Sequence, residues 1–504
     1  MSPSASTATR KPPLTLVETA DAPNFLRRRG PLRPDALVPA RARVSAEGFG
    51  RAFQLADALI LALLTLFAAA AAAEGRLLDA EMALVAPFAA AGLVAAWCLR
   101  GFGAYGFGSA GGLAPHMGRI AAASAAAMVT GLLAMSLFST WRGLPAVLIW
   151  SVAAWAAVSV LHLGGWELAR HWRRSGRMRP NLVFVGATPN ARRLIESALA
   201  TREVAVLGVF DDRADRAPLA IHGVPVLGDT EALLNHRIMP YVDRVVITVS
   251  TAAEGRVRDL IQRLRTLPNE VTLFIDAEGA ERPTHTLSRV TAAPLTFWTG
   301  SEQGRAFYKR LQDVVIAGAA LIVAAPVMGM VAIAVALDTP GPVLFRQRRH
   351  GFNNETITVW KFRSMRHEMT DHTARKQVVE NDKRVTRVGR FIRRTSLDEL
   401  PQLFNVLTGE MSIVGPRPHP IGMRTGEAET ARLVAEYAHR HRLKPGVTGW
   451  AQINGSRGPV HTPEEVRRRV TLDIEYIERQ SLWLDLYIVL MTIPCLLGDK
   501  AAIR

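Results

Sequence analysis

Apolar and polar positions are distributed unevenly along this chain. Four apolar runs lie near residues 52–73, 80–99, 118–139 and 145–167. Each is close to the ~20 residues that a membrane-spanning helix needs. Alanine-rich pieces such as Ala68–Ala73 would also suit a soluble helix, but four runs in succession with short connections predict four transmembrane helices. From Asn181 the pattern changes. Asn181–Gly186, Val204–Phe210, Val224–Leu227, Arg244–Val249 and Val271–Ile275 are apolar runs of strand length, interleaved with helical stretches. That rhythm predicts a parallel α/β sheet. A fifth apolar run, Val314–Leu337, precedes a polar, arginine-rich final third. A last run, Leu482–Leu497, is short for a span and holds Asp485; it reads as interfacial or packed on the domain.

Charge orients these elements. The formal net charge is +17. Arg27, Arg28, Arg29, Arg33, Arg41, Arg43 and Arg51 precede the first run. Arg170, Arg173, Arg174, Arg177 and Arg179 follow the fourth. The positive-inside rule then places the N-terminus and everything after residue 168 in the cytoplasm. If Val314–Leu337 crossed the bilayer, it would export a basic flank containing Arg346, Arg348 and Arg349. A helix that enters and turns back avoids this. Pro326, in the middle of the run, is a break point, because proline removes a backbone hydrogen bond.

Other classes drop out. Cys98 and Cys495 alone cannot build a disulfide framework or a cysteine zinc site. His350, His367 and His372 lack metal-ligand spacing. The charge would suit nucleic acid, but no helix-turn-helix, zinc or RNP pattern accompanies it, so no nucleic-acid partner is expected. Residues 1–50 have no apolar core for a signal peptide and read as a disordered basic tail. In the α/β region, Gly186-Ala187-Thr188-Pro189-Asn190-Ala191 keeps only the first glycine of the dinucleotide fingerprint. A regulatory or assembly module fits better than an NAD site. Residues 281–305 read as a linker.

The chemistry concentrates in RRTSLDELPQLFNVLTGEMSIVGPRP, residues 393–418. Asp398 and Glu399 are adjacent, between an arginine pair and a Pro-Arg-Pro turn. Ser396-x-x-Glu399 would also fit a helix capping box. Pro401 argues against that, since it would fall past the first turn; a helix starting near Pro401 leaves both carboxylates at its exposed entrance. Arg384, Arg387, Arg390 and Arg393 form a basic stripe suited to lipid headgroups. Lys361-Phe362-Arg363-Ser364-Met365 has the alternation of a half-buried strand. Acids among arginines suit phosphoryl transfer, in which Mg²⁺ and cations neutralise a diphosphate and a carboxylate serves as nucleophile.

The segments KFRSM (361–365), RRTSLDELPQLFNVLTGEMSIVGPRP (393–418) and KPGVTGWAQINGS (444–456) closely resemble the bacterial sugar transferases. These are monotopic phosphoglycosyl transferases, also called polyprenyl-phosphate hexose-1-phosphate transferases. The resemblance covers roughly residues 305–504, and the layout of the remainder is similar to the family's long forms. It implies transfer of sugar-1-phosphate from a UDP-hexose, glucose or galactose favoured, to undecaprenyl phosphate. The products are UMP and the lipid-diphosphate sugar that starts exopolysaccharide, capsule or O-antigen synthesis. The resemblance also implies roles. Asp398 is the nucleophile, forming a covalent phosphosugar intermediate, and Glu399 binds Mg²⁺. Arg393, Arg417 and Arg457 bind substrate phosphate, and Pro326 breaks the re-entrant helix. Two positions depart from the family: Ala325 replaces a frequent serine, and Ser456 intervenes before Arg457. The expected architecture is an α-helical protein of the bacterial inner membrane. It has a tail over 1–50, four spans over 51–170, a cytoplasmic Rossmann-like α/β domain over 180–280, and a linker over 281–305. A mostly α catalytic domain follows over 306–504, with a re-entrant helix at 314–337. Inner-membrane lipid is an expected contact, and a homodimer is left open.

Overall fold

The computed structural model describes residues 37–72, 81–107, 112–201, 204–213, 218–234, 236–248, 254–264, 266–274, 292–294, 302–369, 382–425, 428–458 and 460–498. His372 lies outside them.

Helices α1 (Ala46–Ala72), α2 (Met82–Gly101), α3 (Leu113–Leu137) and α4 (Leu144–Arg174) match the four apolar runs, and each is long and apolar enough to cross a membrane. They pack in a ring, each on the next and α1 on α4. Small residues let the backbones approach: Ala91, Ala95, Ala123 and Ala127 are buried in the seams. Phe67, Leu93, Trp97 and Ile149 face outward, as lipid-facing side chains do. One polar chain ties α1, α3 and α4 together. Asp57 Oδ2 meets His162 Nε2 at 2.9 Å, and His162 Nδ1 meets His116 Nε2 at 3.1 Å.

The expected disordered tail is corrected over its last part. Residues 1–36 lie outside the described residues, but α1 already begins at Ala46 and the segment before it is pinned. Arg41 reaches Glu355 and Glu410, each at 3.0 Å. Arg43 pairs with Asp243 and donates to the carbonyls of Val38 and Tyr241. These partners lie far along the chain, so sequence-local reasoning shows arginines without acceptors.

The α/β domain follows. Its elements are β1 (Asn181–Val185), α5 (Pro189–Thr201), β2 (Ala205–Phe210), β3 (Ala220–Ile221), β4 (Val224–Gly228), α6 (Thr230–Leu234), β5 (Arg244–Ile247), α7 (Glu254–Leu264), β6 (Glu270–Phe274) and β7 (Ala292–Pro294). The sheet order is β3-β4-β2-β1-β5-β6-β7. The central strands are parallel, and β3 and β7 pair antiparallel at the edges. β1 and β2 are buried along their whole length, which is why they read as continuous apolar runs. One core cluster includes Val183, Phe210 and Ile247, and a second includes Phe184, Ile195 and Val209. Part of the expected linker is structured: β7 extends the sheet and the next helix starts at Glu302, while 281–291 and 295–301 lie outside the described residues.

The final third is built on α8 (Glu302–Asp338), a helix of 37 residues with Pro326 inside it. After it come β8 (Leu344–His350), β9 (Thr356–Phe362), α9 (Arg387–Arg394), α10 (Gln402–Leu407), β10 (Ser412–Val414), β11 (Arg424–Thr425), β12 (Ala428–Glu429), β13 (Gly446–Thr448), α11 (Trp450–Ile453), α12 (Pro463–Arg479) and α13 (Leu482–Gly498). The strands form three two-stranded pairs, β8-β9, β10-β13 and β11-β12. The N-terminal half of α8, at Ile316, Ala317 and Leu321, packs in one cluster with Val359, Leu403 and Ile488. Its C-terminal half, at Val331 and Val335, packs in another with Phe362 and Ile392. Asp313 accepts from the Ser412 hydroxyl at 2.8 Å and from the Ile413 amide at 2.9 Å. At the other end, Arg363 donates to the carbonyls of Val335, Thr339 and Pro340. Both halves of α8 therefore belong to one domain.

Of the two alternatives for the last apolar run, helix α13 shows packing on the domain. Asp485 is buried, accepts from the Tyr476 hydroxyl at 2.7 Å and pairs with Lys309 at 2.8 Å. The opposite face leaves Trp483, Tyr487, Leu490 and Ile493 exposed.

Candidate active site

The acid pair sits on a sharp turn. Thr386 caps α9 by accepting from the Gly389 amide at 2.9 Å, and the helix ends at Arg394. Ser396 then adopts φ 58°, a left-handed conformation that few residues with a Cβ take. A 3₁₀ turn, Leu397–Glu399, follows, and α10 begins at Gln402 with Pro401 at its cap. There is no capping box: Ser396 makes no capping hydrogen bond, and its hydroxyl accepts from Arg457 Nη2 at 2.6 Å. The helix does start beside Pro401. However, the carboxylates are not on an exposed entrance, because Asp398 is only 8% exposed.

The two acids have different surroundings. Glu399 Oε1 accepts from Lys361 Nζ at 2.6 Å and from Arg417 Nη2 at 2.5 Å, and Oε2 accepts from Arg417 Nη1 at 3.2 Å. Burial pushes the Glu399 carboxyl up, but Arg417 and Lys361 outweigh it and hold Glu399 well below the usual carboxylate range. Asp398 accepts no hydrogen bond from the described residues. Burial pushes its carboxyl up to about 6, with Lys361 and Arg393 opposing the rise and Glu399 adding to it. The turn thus holds one carboxylate locked by two cations and one buried, unengaged carboxylate beside them. Two cations of this kind can neutralise an added anion, and a carboxylate of this kind can act as an oxygen nucleophile.

The neighbours come from three separate places. Lys361 lies near the end of β9, which stops at Phe362, so the half-buried strand expected over 361–365 holds only for its first two residues. Arg417 follows β10, whose pairing with β13 requires three close glycines. A Cβ on Gly446 would lie 2.1 Å from the Gly415 amide nitrogen, and one on Gly449 would lie 2.4 Å from the Gly415 carbonyl oxygen. The two glycine-containing motifs are thus halves of one tight backbone crossing. Arg393 lies in the last turn of α9, close enough to influence Asp398, whereas Arg384 lies outside that helix and pairs with Asp382 at 2.6 Å. Pro326 is within α8, remote in sequence from the turn.

A buried network behind Arg417 was not legible in the sequence. Arg349, on β8, donates to the Pro418 carbonyl at 2.6 Å. Arg440 donates to the Arg417 carbonyl at 2.8 Å and pairs with Asp473 at 2.7 Å. Arg440 Nη1 also lies 2.9 Å from His419 Nδ1, and that same nitrogen lies 2.6 Å from the Tyr437 hydroxyl. Arg440 belongs to the His- and Arg-rich run Ala435–Arg442, which has the composition of a solvated surface. Its one sequence signal is Asp473 at an inward-facing position of amphipathic α12.

Among the described residues, no group of three or more His, Cys, Asp or Glu side chains could hold a metal without help. Mg²⁺ commonly uses one or two carboxylates with substrate oxygens completing the shell. Glu399 Oε2, with a single accepted hydrogen bond, and the unengaged Asp398 carboxylate are hard-oxygen donors of that type.

In the α/β domain, the acid at the end of β2 is occupied internally. Asp211 accepts from the Ala187 amide at 2.6 Å and from the Arg213 amide at 2.8 Å.

Residues 304–499 match the family described as bacterial sugar transferase, and residues 100–274 match one described as a CoA-binding domain. The chain is 42% identical over 328 residues to an undecaprenyl-phosphate glucose phosphotransferase of Komagataeibacter xylinus; the match covers 63% of this chain and 59% of the relative. It is 40% identical over 284 residues to a UDP-glucose:undecaprenyl-phosphate glucose-1-phosphate transferase of Xanthomonas campestris pv. campestris, covering 56% of this chain and 58% of that one. A protein of the same name from Klebsiella pneumoniae is 35% identical over 332 residues, covering 65% of this chain and 70% of that one. The chain thus spans less than two thirds of the length of the first two relatives.

Proposed function

Because the chain belongs to the bacterial sugar transferase family, we propose that it transfers sugar-1-phosphate from a UDP-hexose to undecaprenyl phosphate. The observation that carries this reading is the divided acid pair: Glu399 locked between Lys361 and Arg417, with Asp398 buried and unengaged beside it. UDP-glucose is the first substrate to test, since relatives named for it are 40% identical to this chain over more than half of its length. UDP-galactose is the second. The product would initiate exopolysaccharide, capsule or O-antigen assembly, and one relative is named an exopolysaccharide production protein.

In the first step an Asp398 oxygen bonds to the β-phosphorus of the UDP-sugar. The bond from that phosphorus to the bridging oxygen breaks, and UMP leaves with that oxygen and its electron pair. In the second step a phosphate oxygen of undecaprenyl phosphate bonds to the same phosphorus and the aspartyl bond breaks, returning Asp398 as a carboxylate. Lys361, Arg393 and Arg417 surround this position and would neutralise the diphosphate. Glu399, with Asp398 beside it, would hold Mg²⁺, which supplies charge neutralisation on the diphosphate oxygens.

This chemistry is cytoplasmic at the inner membrane, where UDP-sugars and the lipid phosphate meet. The packing of α8 supports that topology. A straight helix of its length would reach about 55 Å, enough to cross a bilayer. Both of its halves dock on the same domain, so crossing would carry the part of that domain packed between them into hydrocarbon. A helix that turns back near Pro326 keeps the domain on one side.

The test is UMP release by the purified full-length protein with UDP-glucose, undecaprenyl phosphate and Mg²⁺. Intact-mass detection of a phosphosugar adduct when lipid is withheld adds the covalent step. No UMP from any UDP-hexose sinks the activity, while UMP without an adduct sinks only the intermediate. A pH dependence follows as well. Asp398 attacks as a carboxylate, and its carboxyl is raised to about 6. At limiting Mg²⁺, kcat/KM should therefore rise with pH through about 6, and saturating Mg²⁺ beside the pair should move that rise to lower pH. A profile flat from pH 5 to 8 at limiting Mg²⁺ would contradict Asp398 as the titrating nucleophile.

A further inference from the structure

Arg457 is displaced by one residue from the place the family motif predicts, because Ser456 intervenes after Gly455. Its Nη2 donates to the Ser396 hydroxyl at 2.6 Å. Ser396 is the left-handed residue two positions before Asp398, and such a conformation in a residue with a Cβ persists only where surrounding contacts enforce it. The backbone on either side is already committed: the Ser396 amide donates to the Arg393 carbonyl at 3.2 Å, and the Glu399 amide donates to the Ser396 carbonyl at 3.2 Å. The side-chain bond from Arg457 adds a tertiary anchor at the point where α9 hands over to the acid turn.

The loop that carries Arg457 is itself held from behind. Gly455 and Gly458 take φ 79° and 85°. Buried Arg469, on α12, donates to the Ser456 hydroxyl at 3.1 Å and to the Gly458 carbonyl at 2.9 Å. The inserted serine is therefore gripped by the scaffold, and its grip sets where Arg457 emerges. One turn further along α12, Asp473 supports Arg440 and, through it, the Arg417 backbone. A single helix thus braces both flanks of the acid pair.

We infer that Arg457 is a positioning residue for Asp398, acting through Ser396, in place of the phosphate-binding role that its motif position suggests. The inference rests on the proposed reaction for its kinetic consequence, but its structural content is independent of turnover. Removing either partner should free the turn and misplace the nucleophile. It should lower the chemical rate while leaving UDP-sugar binding in place.

The test uses full-length Arg457→Ala, Arg457→Lys, Ser396→Ala and the double Ser396→Ala/Arg457→Ala protein. With UDP-glucose and undecaprenyl phosphate, each alanine variant should lose about tenfold or more in kcat, with KM for UDP-glucose changed by less than about threefold. The double variant should be no worse than the worse single, because the two residues act through one contact. Arg457→Lys should recover part of the rate. A rise in KM for Arg457→Ala, with Ser396→Ala unchanged and losses that multiply, would overturn the inference in favour of direct phosphate binding. Carbodiimide labelling of carboxylates, read by peptide mass spectrometry, supplies the readout that needs no turnover. Labelling of Asp398, nearly closed to solvent in the parent, should rise several-fold and equally in both single variants, with unchanged melting temperatures. Unchanged Asp398 labelling in both would overturn the inference even if the parent released no UMP. Failure of the parent assay alone would count against the proposed reaction only.

Discussion

Asp398→Asn should lower UMP release by at least about 10³-fold, because an amide oxygen is a poor nucleophile and cannot form the same acyl phosphate. The substitution keeps the shape of the turn. It removes a buried charge that accepts no hydrogen bond from the described residues, so the folded protein should lose little stability. The measurement is kcat with UDP-glucose beside a thermal melt, together with a search for the phosphosugar adduct. Full turnover or an adduct at Asp398→Asn would remove Asp398 from the mechanism. Glu399→Gln should behave differently. It leaves Lys361 and Arg417 facing each other without the carboxylate that holds both, so it should cost stability as well as rate. The contrast between the two variants tests the division of labour within the pair.

Asp473→Ala should destabilise the protein by about 3–5 kcal/mol, the range for removing one partner from a buried ion pair. Arg440 is 1% exposed and has no route to water without unfolding its surroundings. Its other bonds, to the Arg417 carbonyl and beside His419, hold it in place beside the vacated position. The check is a melt of the full-length protein in detergent followed by tryptophan fluorescence. Replacing both residues by leucine should recover much of the lost stability, because no unpaired charge then remains. Activity should not return with it. The Arg417 carbonyl would have lost its donor, and the arginine facing Glu399 its support. A double variant with restored stability and restored kcat would show that the network only holds the fold. Asp473→Ala melting like the parent would show that Arg440 finds water or another partner.

These two expectations differ in where they could be seen. Asp398 and Glu399 stand out in the chain because local signals converge on them: adjacent acids, flanking arginines and a proline that argues against a simple cap. The long apolar helices and the central strands were legible for a similar reason. Length and periodicity are local properties, and burial in lipid or within a sheet imposes them residue by residue. Even the conflict over Val314–Leu337 could be framed from charge and one proline.

What surrounds the acids was another matter. Lys361 is 38 positions from Glu399, Ser396 is 61 from Arg457, and Arg440 is 33 from Asp473. Arg41, read as part of a disordered tail, finds Glu410 across 369 positions. A charged side chain carries no mark of whether it will be solvated or paired, because its composition and spacing are the same in both cases. The chain alone therefore determined the long apolar helices, the strands of the α/β domain and the acid pair on which the proposed chemistry rests. Only the tertiary structure decided which carboxylate is locked and which is free. That decision depends on desolvation and on the distance between charges, and both exist only once separate segments have packed together.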